Sequence, residues 1–267
     1  MPIEYQFKPN IISKHDFYAI DYQVMGLVFS IHNELGRLWN EKIYQNELAY
    51  RCQKAGFAKV ATEVVIKVSY LDFLKCFYVD LIFNDAVIYE LKTSQCLTGE
   101  HQQQVLNYLF LLGMQHGKLI NMRPPSVESR FVSTRLTPDK RYNYKIEDNH
   151  WQDVDEDSIR LKELILNLLN EWGAFLDTTL FYDTIIHFNG GEENVVKMIE
   201  AKEGNRTMGR QKVHLINPEV AFNISSMTKD EQYYEHNLRK FLSYASLKAI
   251  QWINFNHDLI IFKTIFR

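Results

Sequence analysis

The chain has 267 residues, 46% of them hydrophobic and 24% charged, enough for one large domain or two of ordinary size around a buried core. Its formal net charge of −3 excludes a global basic field, so any contact with nucleic acid needs a local patch. Cys52, Cys76 and Cys96 form no CxxC pair, the start MPIEYQFKPN lacks the runs of a signal peptide, and no stretch approaches a membrane span. The expectation is a cytoplasmic chain in a reducing compartment, with no disulfide scaffold, zinc finger or membrane partner.

From Asp16 to Leu35 the apolar residues Phe17, Ile20, Val24, Leu27, Val28, Ile31 and Leu35 recur at steps of three and four. That spacing predicts an amphipathic helix capped by Asp16 and stopped by Gly36. A second helix is expected from about Asn40 to Lys54, with Ile43, Tyr44, Leu48 and Cys52 inward and Glu41 in its first turn, where the helix dipole favours an acid. VATEVVIKVSY, residues 60 to 70, reads as a strand.

Residues 75 to 92, KCFYVDLIFNDAVIYELK, read as two strands joined by a tight turn at Asn84-Asp85. Glu90 and Lys92 alternate with Leu91 and so share a face, and antiparallel pairing with the preceding strand brings Asp80 near it. Two convergent carboxylates with a lysine suit divalent-metal hydrolysis. A helix from about Thr98 to Leu112 follows, with Glu100 in a weak capping pattern and Gln104 and Tyr108 one turn apart on a single face. KLINM is then a further strand. The order of helices and strands predicts an α/β or α+β fold, a sheet with helices packed against it.

Pro124-Pro125 opens a different stretch, residues 124–150, in which Arg130, Arg135, Lys140 and Arg141, with Arg123 just before it, interleave with Phe131, Tyr142 and Tyr144. This is the best candidate for a nucleic-acid contact surface, and it reads equally as a solvated basic linker.

The second half repeats the pattern of the first. At an offset of 137 (173 − 36) Gly36 falls on Gly173, Tyr44 on Phe181 and Leu48 on Ile185; at 133 (223 − 90) Glu90 falls on Asn223 and Asn121 on Asn254. Under the same offsets Glu41 becomes Thr178, Asp80 Val213, Lys92 Ser225, Gln104 Asn237 and Tyr108 Phe241. The expected organisation is a domain over 1–123, a basic linker over 124–150 and a degenerate repeat over 151–267 without a metal site.

Asp80, then Glu90-Leu91-Lys92, then Gln104-x-x-x-Tyr108 resembles the PD-(D/E)xK nuclease superfamily in its QxxxY branch. LGRLWNEKIY, YELK, QVLNYL and GKLINM more closely resemble its GxxExxY proteins. Glu41 and Tyr44 match the naming motif, but Leu38 stands where it has glycine and Val79 where the superfamily has proline before the first acid.

The resemblance implies a restriction-endonuclease-like core, a mixed sheet flanked by helices, that binds Mg²⁺ or Mn²⁺ and hydrolyses phosphodiesters of DNA or RNA. Asp80, Glu90 and the Leu91 carbonyl would be ligands, and Glu41 would add a ligand or hold a water in the ion's shell. Lys92 would position the attacking water, with Gln104 and Tyr108 lining the site. The competing expectation is a silent nucleic-acid-binding, scaffold or accessory protein on the same fold, and a homodimer or a protein partner stays open.

Overall fold

Ser13 begins the first helix, α1 (Lys14–Leu35), by accepting a hydrogen bond from the Asp16 backbone N–H at 3.1 Å. The cap is therefore Ser13 and not Asp16, whose carboxylate instead accepts from the Ser13 hydroxyl within the first turn. The structure is a computed structural model and describes residues 2–267. Asn40 caps α2 (Glu41–Lys54) through Oδ1 and the Ile43 N–H. Thr98 caps α3 (Gly99–Leu112) in a reciprocal box with His101, where Glu100 had been expected.

The first unit, ending at Pro138, has one sheet in the order β1-β2-β3-β4-β5-β6. The strands are β1 (Ile3–Glu4), β2 (Val60–Tyr70), β3 (Phe73–Phe83), β4 (Val87–Lys92), β5 (His116–Asn121) and β6 (Glu128–Ser133). All neighbours are antiparallel except β4 and β5, whose parallel pairing requires the crossover that α3 supplies. Asn84 and Asp85 take φ of 52° and 54°, and the Ala86 N–H returns to the Phe83 carbonyl, the turn that joins β3 to β4.

Phe17, Val24, Val28 and Ile31 of α1 and Tyr44 and Leu48 of α2 bury against Leu81, Phe83, Tyr89 and Leu91. Each such side chain contributes roughly 1.5–3 kcal/mol. Helix α3 covers β5 instead, and it approaches closely at Gly117, where a Cβ would lie 3.0 Å from Val105 Cγ1.

The second unit, Asp139–Arg267, has a sheet in the order β7-β12-β11-β10-β9-β8. Its elements are β7 (Lys145–His150), α4 (Glu156–Trp172), α5 (Thr178–Phe188), α6 (Glu192–Val195), β8 (Val196–Glu203), β9 (Arg206–Asn217), β10 (Val220–Ser225), α7 (Glu231–Tyr244), β11 (Ala249–Asn256) and β12 (Leu259–Phe266).

The registers of β4–β5–β6 and of β10–β11–β12 coincide at the offset of 133. Glu90 faces Leu119 across the parallel pair and Asn223 faces Trp252; His116 faces Ser133 across the antiparallel pair and Ala249 faces Phe266. Gly36 and Gly173 end α1 and α4 in the same way, with φ of 71° and 79° and N–H bonds to His32 and Leu169.

Residues 124–150 are not a linker. They contribute β6, an edge of the first sheet, a 3-10 turn at Pro138–Tyr142, and β7, an edge of the second, so the boundary between units falls inside them. Edge strands carry charge that blunts their open side, and this erased the alternation that identifies inner strands.

Candidate active site

The ladder between β3 and β4 has only three pairs, Leu81 with Tyr89, Ile82 with Ile88 and Phe83 with Val87. Beyond them the Leu91 N–H has left the ladder and donates to Asp80 Oδ2 at 2.8 Å. The acid is thus tied to the backbone of the segment that carries Glu90 and Lys92. Gln45, buried on α2, fixes Asp80 from the other side by donating to its carbonyl at 2.6 Å.

Glu90 is 2% exposed. Its Oε1 accepts from Lys92 Nζ at 2.7 Å, whereas Oε2 is buried with no hydrogen-bond partner. Lys92 Nζ is also 3.5 Å from Glu41 Oε1, so the ammonium lies between an acid of the sheet and an acid of α2. Gln104 Nε2 donates to the Tyr108 hydroxyl at 2.8 Å, as the one-turn spacing predicts, and the Tyr108 ring meets Phe77 edge-on.

The charges are unevenly matched. Burial pushes the Asp80 carboxyl up to about 6, against the Leu91 N–H, with Glu41 and Glu63 adding like charge. Burial and then the Asp80 charge push Glu90 up to about 8. Burial alone would lower the Lys92 ammonium, but Glu90, Glu41 and Asp80 together more than offset it and Lys92 is held above its usual value. Burial, then the Glu90 charge, raises the Tyr108 phenol. A buried carboxylate, Glu90, and a half-buried one, Asp80, therefore draw on the same lysine.

Glu41 reaches Lys92 from the first turn of α2 because Tyr44, fully buried, donates to the Gly36 carbonyl at 2.7 Å and accepts from the Trp39 N–H at 3.3 Å. Those bonds hold the connection between α1 and α2. Leu38 is 81% exposed and has no left-handed backbone, so the missing motif glycine strains nothing. Val79 pairs with Val64 within the β2–β3 ladder.

Glu63 escaped the sequence reading. It occupies the position on β2 opposite Asp80, bears electrostatically on Asp80 and Tyr108, and accepts from Lys42 Nζ at 2.8 Å. An unbroken β-branched run, VATEVVIKVSY, concealed it; the one available signal was an acid in that run.

The five basic residues expected to contact nucleic acid are divided between the two units. Arg123 bonds the carbonyls of Thr93 and Trp39, flanking the site, and Arg130 bonds that of Leu97. Arg135 and Lys140 are exposed. Arg141 is only 5% exposed, so it is no surface contact: its carbonyl receives the Ala174 N–H and its backbone packs where Gly173 lacks a side chain. The aromatic residues nearby are engaged as well, Phe131 with Phe17, Tyr142 with the Glu171 carbonyl and Tyr144 with Asn170.

In the second unit Asn223 accepts from the Tyr234 hydroxyl at 2.8 Å, and Ser225 Oγ donates to Asn254 and accepts from Trp252 Nε1. The positions equivalent to Glu90 and Lys92 are neutral and hydrogen-bonded. Among the described residues no cluster of three or more His, Cys, Asp or Glu side chains is disposed to hold a metal ion, and no helix is long and apolar enough to cross a membrane. Two carboxylates suffice for a Mg²⁺ that keeps several waters, and the unpartnered Glu90 Oε2 suits such an ion.

Residues 18–132 match the family model of the PD-(D/E)XK nuclease superfamily. The crystal structure of SSO0001 is similar at 18% identity over 51% of this chain and 72% of that one, with a TM-score of 0.30. No curated protein matches the chain.

Proposed function

We propose that the first unit is a divalent-metal-dependent nuclease that hydrolyses phosphodiester bonds of DNA or RNA, grouped with the GxxExxY proteins. The observation that carries this reading is Glu90: a buried carboxylate beside Asp80, with one oxygen on Lys92 and the other without a partner. A structural ion pair leaves no such oxygen, because an unmatched buried acceptor costs about 1–3 kcal/mol. The superfamily match over residues 18–132 supports the same reading.

Asp80, Glu90 and the Leu91 carbonyl would hold Mg²⁺ or Mn²⁺, which when bound polarises a phosphoryl oxygen and makes water more acidic. Lys92, held by Glu90 and Glu41, presents its ammonium beside the two acids, where it orients the attacking water or stabilises charge gathering on the phosphorus oxygens. Glu41 keeps Lys92 aimed and is within reach of a water there. Tyr108 and Gln104 fix each other and wall the site from α3.

The second unit is, in this reading, a degenerate copy. Its shared registers and helix ends support descent by duplication, and Asn223 with Tyr234 fills the place of the acid. The test is cleavage of single- and double-stranded DNA and RNA by the purified chain with Mg²⁺ or Mn²⁺. Activity is expected and is lost in Asp80→Ala and Lys92→Ala; cleavage that survives both substitutions rules the site out.

A further inference from the structure

Among the described residues seven other than glycine have positive φ, and six of them, Leu71, Asn84, Asp85, Phe175, Asp230 and His257, lie in turns, bends or loops. Among the described residues Glu63, at φ 52°, alone does so inside a strand. The β2–β3 ladder runs through Thr62 with Leu81 and resumes at Val64 with Val79, so the pair that drops out is Glu63 with Asp80. Left-handed backbone is costly for a side chain with a Cβ, and such strain persists where the surroundings impose it, often at functional sites.

The surroundings here are the first turn and a half of α2. Glu63 Oε1 accepts from Lys42 Nζ at 2.8 Å, and Gln45 is a second hydrogen-bond partner of the same carboxylate. Gln45 also holds the Asp80 carbonyl at 2.6 Å. Lys42 follows Glu41, whose carboxylate meets Lys92. The Glu63 carboxylate thus engages the helix turn that follows Glu41, and Gln45 of that turn reaches on to the strand that bears Asp80.

We infer that Glu63 is a positioning residue of the candidate site: from a strained place opposite Asp80 it holds Lys42 and Gln45, and so sets Glu41 and Asp80 for a divalent cation. This rests on the metal-binding reading above. It makes a signature that sheet irregularity alone does not, because relief of the strain and loss of the positioning act in opposite directions.

The experiment measures Mn²⁺ affinity by titration calorimetry and the melting temperature without metal, for the full chain and for Glu63→Gly and Glu63→Gln. Glycine adopts the left-handed backbone freely, so Glu63→Gly is expected to melt higher than the unaltered chain. Its Mn²⁺ affinity is expected to fall about 10-fold or more, the usual effect of removing a residue that orients metal ligands. Glu63→Gln keeps the shape without the charge that holds Lys42, and is expected to weaken Mn²⁺ without melting higher. Unchanged Mn²⁺ affinity in Glu63→Gly, with the unaltered chain binding the ion, overturns the role of Glu63 alone. Absence of Mn²⁺ uptake by the unaltered chain overturns the metal-binding reading and this inference together.

Discussion

Asn121 and Asn254, 133 positions apart (254 − 121), make the same pair of hydrogen bonds. Each amide accepts from the N–H and donates to the carbonyl of one residue just past the parallel strand beside it, Ser94 for Asn121 and Met227 for Asn254. Both are fully buried. Alanine removes the partner of both backbone groups at either position, and at Asn121 that of the Arg123 N–H as well, so Asn121→Ala and Asn254→Ala are each expected to cost on the order of 1–3 kcal/mol in urea unfolding. A loss below about 0.5 kcal/mol in either, the scale of an ordinary surface substitution, contradicts this account.

Stability should fall as pH rises from about 4 to about 8, the window set by ordinary unfolded carboxyls and the raised values of Asp80, about 6, and Glu90, about 8. Over that window the folded chain binds more protons than the unfolded chain, which gives the negative sign. Glu90→Gln removes the larger contribution. Its melting temperature is expected to exceed that of the unaltered chain by about 2–4 °C at pH 8, with the gain absent at pH 5. Parallel melting curves of the two proteins across this range would count against a buried, protonatable Glu90.

Mn²⁺ uptake should have the opposite pH dependence, strengthening between pH 6 and 8 as Asp80 and Glu90 lose their protons to the ion. Calorimetry is expected to show uptake abolished in Glu90→Gln and unaltered in Asn223→Ala, since the latter site is neutral and closed by Tyr234. Loss of uptake in Asn223→Ala would assign the ion to the wrong unit.

Gly36 and Gly173 share a left-handed φ but differ in their neighbours. A Cβ on Gly36 meets nothing within 4 Å, while one on Gly173 would sit 2.7 Å from Arg141 Cβ and 2.9 Å from its carbonyl carbon. Gly36→Ala should therefore cost about 1 kcal/mol, from the backbone alone. Gly173→Ala adds overpacking and should cost about 3 kcal/mol or more. Equal losses in denaturant unfolding would refute the contact with Arg141.

Periodicity made the helices and inner strands legible, because Phe17, Val24, Val28 and Ile31 bury on one stripe and Leu81, Phe83, Tyr89 and Leu91 answer them. Asp80, Glu90 and Lys92 were legible through spacing, since the turn at Asn84-Asp85 fixes where the strands meet. Glu63 was not, because nothing in VATEVVIKVSY marks one residue as left-handed; the conformation belongs to its partners on α2. Arg141 was misread for a related reason. Its burial depends on the chain turning at Gly173, 32 positions later (173 − 141), which composition near Arg141 does not encode. Edge strands β6 and β7 are not legible because their polar residues, as in KIEDNH of the fully exposed β7, carry no inward-outward alternation.

The coincidence of registers gives this chain a built-in control. The same parallel pair, locked by the same asparagine, exists once with charges at the strand end and once with Asn223 and Ser225 in their place. The strand pair therefore forms both with the acids at its end and without them. Within one molecule, the second unit supplies the baseline from which the energetic burden of the first unit's charges can be read.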